Sequence, residues 1–563
     1  MKNEKRYVSF VLTMCVAAAL FMGLTGCGKT GDTANQAVDE KAPPPPVEPA
    51  KHEAAKDKLA AASMGYLSES ISREVGSGQP QAGESAGEFN TEEYTRIREN
   101  EFKDVKGNPL STFSIDVDNA SYANIRRFIN NSRMPHKDGV RIEEMINYFT
   151  YDYPQPQGEH PFSINCEISR CPWNGEHKLI HIGLQGKSLN YDDLRPCNLV
   201  FLIDSSGSMS AANKLPLLKK SLKLLLNELD DKDKIAVVAY AGSAGLVLPS
   251  TPASKKGRIL DAIDQLNAGG STAGGAGIEL AYKVAKENLI KDGNNRVILA
   301  TDGDFNVGVS ASGDLVRLIE EKRKDDIYLT ICGFGMGNYK DSRMESLSNA
   351  GNGNYFYIDN IREAKKVFVK EMRANLFTIA KDVKIQVEFN PAKVKAYRLL
   401  GYENRLLAKE DFEDDTKDAG ELGAGHTVTA LYEIITAGSD EEVKKTGALK
   451  YQETKVKDSA ASSPETLTVK FRYKPPKEDK SKLIEQLVID KDIALKETSD
   501  NFRFSAAAAG FGMLLRDSKF KGDLTFDRVM ELAKGAKGQD EEGYRAEFLR
   551  LVETSKLLDP PKQ

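Results

Sequence analysis

Five side chains in three separated loops carry the chemistry of this sequence. Asp204, Ser206 and Ser208 sit in Asp204-Ser205-Ser206-Gly207-Ser208, Thr272 lies in the glycine-rich stretch 269–275, and Asp302 opens a third loop. Together they offer two carboxylates and three hydroxyls, with no thiol or imidazole. An all-oxygen set of this kind suits a hard divalent cation, Mg2+ first and Mn2+ or Ca2+ next. Mg2+ asks for six oxygens at about 2.1 Å and keeps water readily, so the five side chains need not all bind it directly. Two formal negative charges leave such an ion electrophilic and open to one more carboxylate, supplied by a protein ligand. Gly207, Gly269, Gly270, Gly274 and Gly275 fit the same reading, because glycine lets backbone approach closely or turn left-handed. Asp304 and Asn306 are candidates for steadying the ligands from outside, with a solvated loop role as the alternative.

Loops this far apart in sequence can meet only if a fold gathers them. From residue 198 onward, apolar strands over 199–203, 235–240, 297–300, 327–333 and 354–358 alternate with helical periodicity over 214–229, 257–266, 275–289, 315–324, 342–349 and 362–372. Continuous apolar strands between helices predict a doubly wound α/β domain, 196–375, around a mostly parallel sheet covered on both faces. Ligand sites of such sheets lie outside the carboxyl ends of the strands, and that is where Asp204 and Asp302 fall. The flanks differ. Residues 107–195 read as a mixture of helices (119–130, 141–149) and strands (112–117, 162–168, 179–184). Residues 376–480 are β-rich, with strands over 383–389, 395–400, 426–434 and 467–473, and 481–563 are largely helical (502–515, 526–533, 543–556). Neither flank alone has strands enough for two layers, so 376–480 is expected to pack with 160–195 as one β-sandwich into which the α/β domain is inserted.

The pattern D-x-S-x-S, then Thr, then Asp resembles the metal-ion-dependent adhesion site of the von Willebrand factor A (VWA) family. Asp204, Ser206, Ser208, Thr272 and Asp302 match all five positions, and Gly277 follows Thr272 as in that family. The resemblance implies metal-dependent binding of a protein through an acidic residue of the ligand. A wider likeness, to bacterial YfbK-type lipoproteins, rests on residues 111–153, including Arg141-Ile142-Glu143-Glu144-Met145-Ile146-Asn147-Tyr148-Phe149, and on the tail after Ala380. The expectation is a non-enzymatic binding protein. Metal-assisted hydrolysis would need a nearby base or a second metal, and no histidine lies within 196–375. A purely structural role, with the metal held by the chain's own acids, is the other alternative.

The first residues bear on compartment. Lys2, Lys5 and Arg6 precede an apolar run over 8–22, the layout of a secretory signal. Leu24-Thr25-Gly26-Cys27 resembles a bacterial lipobox, which implies a signal peptide 1–26, a lipid (palmitate-type) anchor on Cys27, and a cell-envelope protein on the membrane. Gly28 in place of Asp points to the outer membrane. Residues 23–30 also spell G-x-x-x-x-G-K-T, but a proline run follows where a phosphate loop needs a helix, so no nucleotide is expected. Residues 27–106 are poor in apolar side chains and read as a flexible tether, with a helix possible around 54–62. A net charge of −5 and a pI near 5.9 give no footprint for nucleic acid.

Other reactive residues fit plainer roles. Cys166, Cys171, His177 and His181 have too short a central gap for zinc-finger spacing. A disulfide among Cys166, Cys171 and Cys197 is the expectation in an oxidising envelope, and Cys332 reads as a small buried apolar residue. Asp118 or Asn119 is expected to cap the 119–130 helix, and Trp173, the only tryptophan, to anchor packing.

Overall fold

The computed structural model describes residues 92–559, save 116–117, 190–194, 271–273, 304, 306–311, 338–339, 372–376, 418, 445–450 and 452–454. The signal and lipobox with Cys27, the 23–30 motif and the 54–62 helix lie outside the described residues. Before the α/β segment come β1 (Lys103–Asp104), β2 (Leu110–Ser114), α1 (Ala120–Asn130), α2 (Ile142–Asn147) and a hairpin of β3 (Phe162–Cys171) and β4 (Asn174–Gly186).

The α/β segment holds β5 (Cys197–Asp204), α3 (Leu215–Glu228), β6 (Lys234–Tyr240), β7 (Ala244–Pro252), α4 (Lys256–Gln265), α5 (Gly274–Glu287) and β8 (Asn294–Thr301). It continues through α6 (Ser312–Arg323), β9 (Ile327–Phe334), α7 (Asp341–Ala350), β10 (Tyr355–Ile358) and α8 (Ile361–Lys365). The sheet order is β10-β9-β8-β5-β6-β7, parallel throughout except for β7 at one edge. Every residue of β5 and of β8 is buried, because each strand feeds two cores. Leu199, Phe201 and Ile203 pack with Leu218 and Leu222 of α3 and Ile259 of α4. Val200 and Leu202 face the other way, onto Ile278 and Tyr282 of α5, Ile319 of α6 and Leu347 of α7. This two-residue alternation produces the doubly wound architecture that the sequence pattern predicts. Ala120 and Ala123 of α1 join the second core.

After it follow β11 (Thr378–Phe389), β12 (Val394–Leu399), β13 (Gly420–Gly423), β14 (Thr427–Thr436), a short α9 (Asp458–Ser462), β15 (Leu467–Lys474) and β16 (Lys482–Val488). One antiparallel sheet runs β1-β12-β14-β4-β3; the other runs β13-β11-β15-β16, with β2 also alongside β11. Strands from both sides of the α/β segment thus share each sheet, as in the β14–β4 pairing Tyr432↔Ile180. Inward side chains such as Phe113, Ile182, Val387, Tyr432 and Phe471 make the core between the sheets. The C-terminal helices α10 (Asp500–Arg516), α11 (Phe526–Lys534) and α12 (Tyr544–Leu558) bury Phe502, Phe511 and Phe548 against Met145, Phe149 and Trp173.

Three expectations need correction. The docked chain starts by Glu92, not at 107: Glu92 accepts hydrogen bonds from both terminal nitrogens of Arg127, at 2.6 and 2.9 Å, and the Tyr94 ring stacks on His136. Ion pairs, the Tyr94 and Phe102 rings, the buried Val105 and the β1–β12 pairing hold residues 92–106, so counting apolar side chains misses them. Cys166, Cys171 and Cys197 are free thiols. They point into three different cores, which keeps any two from pairing. Neither Asp118 nor Asn119 caps α1 by its side chain. The Ser121 N–H donates to Glu144 instead, while Asp118 accepts from the Tyr355 N–H and from Arg405.

Candidate metal centre

Asp204 is the last residue of β5, and Asp302 follows the last residue of the neighbouring parallel strand β8, whose Ala300 pairs with Ile203. Parallel pairing therefore brings the two carboxylates to the same strand ends, both fully buried. Asp204 Oδ1 accepts the Ser206 N–H at 2.9 Å, which folds the chain back over the strand end. The same turn sets the Ser206 and Ser208 hydroxyl oxygens 2.9 Å apart, with Ser206 buried and Ser208 exposed. Asp204 Oδ2 accepts from the Tyr240 hydroxyl and from Thr301 Oγ1, each at 3.3 Å.

Burial pushes the Asp204 carboxyl above its ordinary pKa. Hydrogen bonds from Ser206 oppose that rise, and the charge of Asp302 adds to it. Asp302 Oδ2 accepts from the ammonium of Lys214 at 2.9 Å. The glycine-rich loop reaches the same place: Gly269 N–H donates to Ser205 O at 2.7 Å and Gly207 N–H to Gly270 O at 3.1 Å. Gly270 takes φ +87°, where a side chain would strain the turn. Thr272, Asp304 and Asn306 lie outside the described residues.

The structure therefore brings together Asp204, Ser206, Ser208 and Asp302, and ties the threshold of the Thr272 loop to them. Sequence reasoning missed Lys214, Tyr240 and Thr301. A lysine just before a leucine-rich helix reads as its polar entry, and no motif signals the other two. The donor set is all oxygen, with hydroxyls beside carboxylates, and so fits a hard cation. Among the described residues no three His, Cys, Asp or Glu side chains gather into a metal-holding group. That includes Cys166, Cys171, His177 and His181: Cys166 packs in the sandwich core, while His181 bonds Tyr153 and Cys171 lies with the helical cap.

Residues 198–370 match the model of the von Willebrand factor type A domain. Residues 88–181 match one described as von Willebrand factor, and 374–558 match the C-terminal region of uncharacterized protein YfbK. Over 470 residues the chain is 42% identical to uncharacterized protein YfbK of Escherichia coli (strain K12), covering 82% of this chain and 81% of that one. The chain belongs to the YfbK family. This YfbK-family chain is also 27% identical over 191 residues to uncharacterized protein sll0103 of Synechocystis sp. (strain ATCC 27184 / PCC 6803 / Kazusa), covering 34% of this chain and 44% of that one. Among solved structures, von Willebrand factor type A from Catenulispora acidiphila covers 71% of this chain and 91% of its own at 17% identity and TM-score 0.39. VWA domains commonly mediate protein–protein interaction, and this YfbK-family chain carries one between its two flanking segments.

Proposed function

We propose that this is a non-enzymatic, lipid-anchored cell-envelope protein whose VWA domain binds a protein partner through a divalent cation. The observation that carries the proposal is the placement of Asp204, Ser206, Ser208 and Asp302 at two adjacent strand ends. Asp204 and the two serine hydroxyls would hold the ion, Mg2+ first and Mn2+ or Ca2+ next, with Thr272 and Asp302 completing the set. When bound, the ion supplies a Lewis-acidic position for a carboxylate of the partner. The chain's own residues prepare that position. Tyr240 and Thr301 fix the Asp204 carboxylate from behind, and the Ser206 N–H sets its rotation.

Calorimetric titration of the full chain with MgCl2 and MnCl2 tests the metal reading. The wild type is expected to take up one ion and Asp204→Ala none, with the circular dichroism of the variant unchanged. No uptake by the wild type would defeat the proposal. Partner binding is tested by pull-down from envelope extract with Mg2+ or chelator, and capture that is indifferent to chelator would contradict it. The anchor rests on Leu24-Thr25-Gly26-Cys27. Metabolic palmitate labelling should mark the wild type and spare Cys27→Ala, and equal labelling of both would refute the anchor.

A further inference from the structure

The second carboxylate of the site is met by a cation belonging to the chain itself. Lys214 is 8% exposed and its ammonium donates to Asp302 Oδ2 at 2.9 Å. Its backbone is rooted: the Lys214 N–H donates to Ala211 O, and Lys214 O accepts from Leu218 in the first turn of α3. Its stem is seated as well. It crosses Gly335, just past the end of β9, where an added Cβ would fall 2.7 Å from Lys214 Cγ and 2.9 Å from Cδ. Gly335 takes φ +78°, and its carbonyl accepts from the Tyr357 hydroxyl. A side chain at Gly335 would displace that stem. The lysine is thus a packed part of the domain interior rather than a surface side chain that fell onto an acid.

We propose that Lys214 is a tethered cation that competes with the divalent ion for Asp302. The site would then exchange between a lysine-closed state and an ion-loaded state that an acidic partner can use. The inference rests on the metal-site reading above and adds what regulates it. Two buried carboxylates at adjacent strand ends repel each other, and an ammonium against one of them removes much of that cost without any metal. A divalent ion on the same oxygens would sit beside that ammonium, and like charges at such range in a poorly solvated site exclude one another. Apparent ion affinity is then the intrinsic affinity multiplied by the fraction of molecules in which the lysine is withdrawn. A carboxylate from a partner adds negative charge that only the ion-loaded state can use. By linkage, ion and partner therefore bind cooperatively.

The test uses the full chain and MnCl2. Lys214→Met keeps the length and apolar stem and removes the charge, and it is expected to bind Mn2+ about tenfold or more tighter than wild type. Lys214→Arg keeps the charge and should show no such gain. Wild type and Lys214→Met binding alike, within about twofold, would overturn the competition and leave the metal site standing. Uptake by neither would remove both. A measurement on the wild type guards against a variant that fails to fold: mass spectrometry after brief acetylation, with and without saturating Mn2+. Labelling of Lys214 should rise severalfold when the ion is present. Labelling that stays flat in a protein shown to bind Mn2+ would overturn the proposal.

Discussion

Asp302 has its lysine; Glu143, in α2, shows what a buried carboxyl does when the nearest cation is already taken. Arg516 pairs with Glu403 at 2.6 Å, and Glu143 Oε2 is buried with no hydrogen-bond partner. Burial pushes the Glu143 carboxyl up to about 7, the charge of Glu403 adds to the rise, and Arg516 opposes it. The folded protein therefore holds this proton more tightly than the unfolded chain, whose value is near the ordinary 4.5. Stability contributed here is present below about pH 4.5 and is lost as pH rises towards about 7. Glu143→Gln removes the titration. Urea denaturation should find the variant more stable than wild type by about 1–3 kcal/mol at pH 8, a gap that closes as pH falls towards 4. A gap independent of pH would show that Glu143 is ionised in the fold.

At the scale of elements, the site depends on how closely α5 lies on the sheet, because the helix starts at Gly274, directly after the Thr272 loop. The approach is made at Gly277, where a Cβ would stand 2.9 Å from Tyr240 Cβ and 3.2 Å from Leu202 Cδ1. Tyr240 also donates to Asp204, so pressure there reaches the site. Overpacking costs about 1–3 kcal/mol and the helix preference for alanine returns about 1 kcal/mol. Gly277→Ala should therefore lose up to about 2 kcal/mol in denaturant and weaken Mn2+ uptake. A variant as stable as wild type would mean that α5 can back away freely. The same elements show what the sequence could and could not convey. Strands β5, β8 and β9 were legible because strands buried on both faces are continuous apolar runs, and α10 to α12 because each is a proline-free stretch rich in apolar side chains. Edge strand β7 was not, since Leu246 and Val247 face solvent and leave no alternation to read. Asp204, Ser206, Ser208 and Asp302 were legible as a motif at strand ends. Lys214 was not, because its meaning lies in Gly335, a contact that only the fold creates.

At the scale of the whole molecule, the chain leaves the sandwich after β4, builds the VWA domain and returns at β11, so both ends of the domain are held by one pair of sheets. A buried guanidinium adds a second hold. Arg126 of α1 donates to Asp359 just past β10, to Glu363 of α8 at 2.7 Å, to Glu547 of α12 at 2.9 Å and to the Tyr148 hydroxyl at 2.9 Å. The Tyr148 hydroxyl in turn donates to Glu363 at 2.7 Å. One side chain thus connects the N-terminal segment, the VWA domain and the C-terminal helices. Its side chain is 1% exposed, and the three carboxylates around it are at most 15% exposed. Removing one partner of a buried ion pair costs about 3–5 kcal/mol, because the charge left behind is unpaired. Arg126→Met preserves bulk and deletes the charge, so the loss should be at least of that order. With the tie gone, the VWA domain and the helical cap no longer need to melt together. Scanning calorimetry should show one cooperative transition for wild type and two for Arg126→Met, the earlier one shifted down by several degrees. A single unshifted transition in the variant would mean that Arg126 is not what couples the three parts.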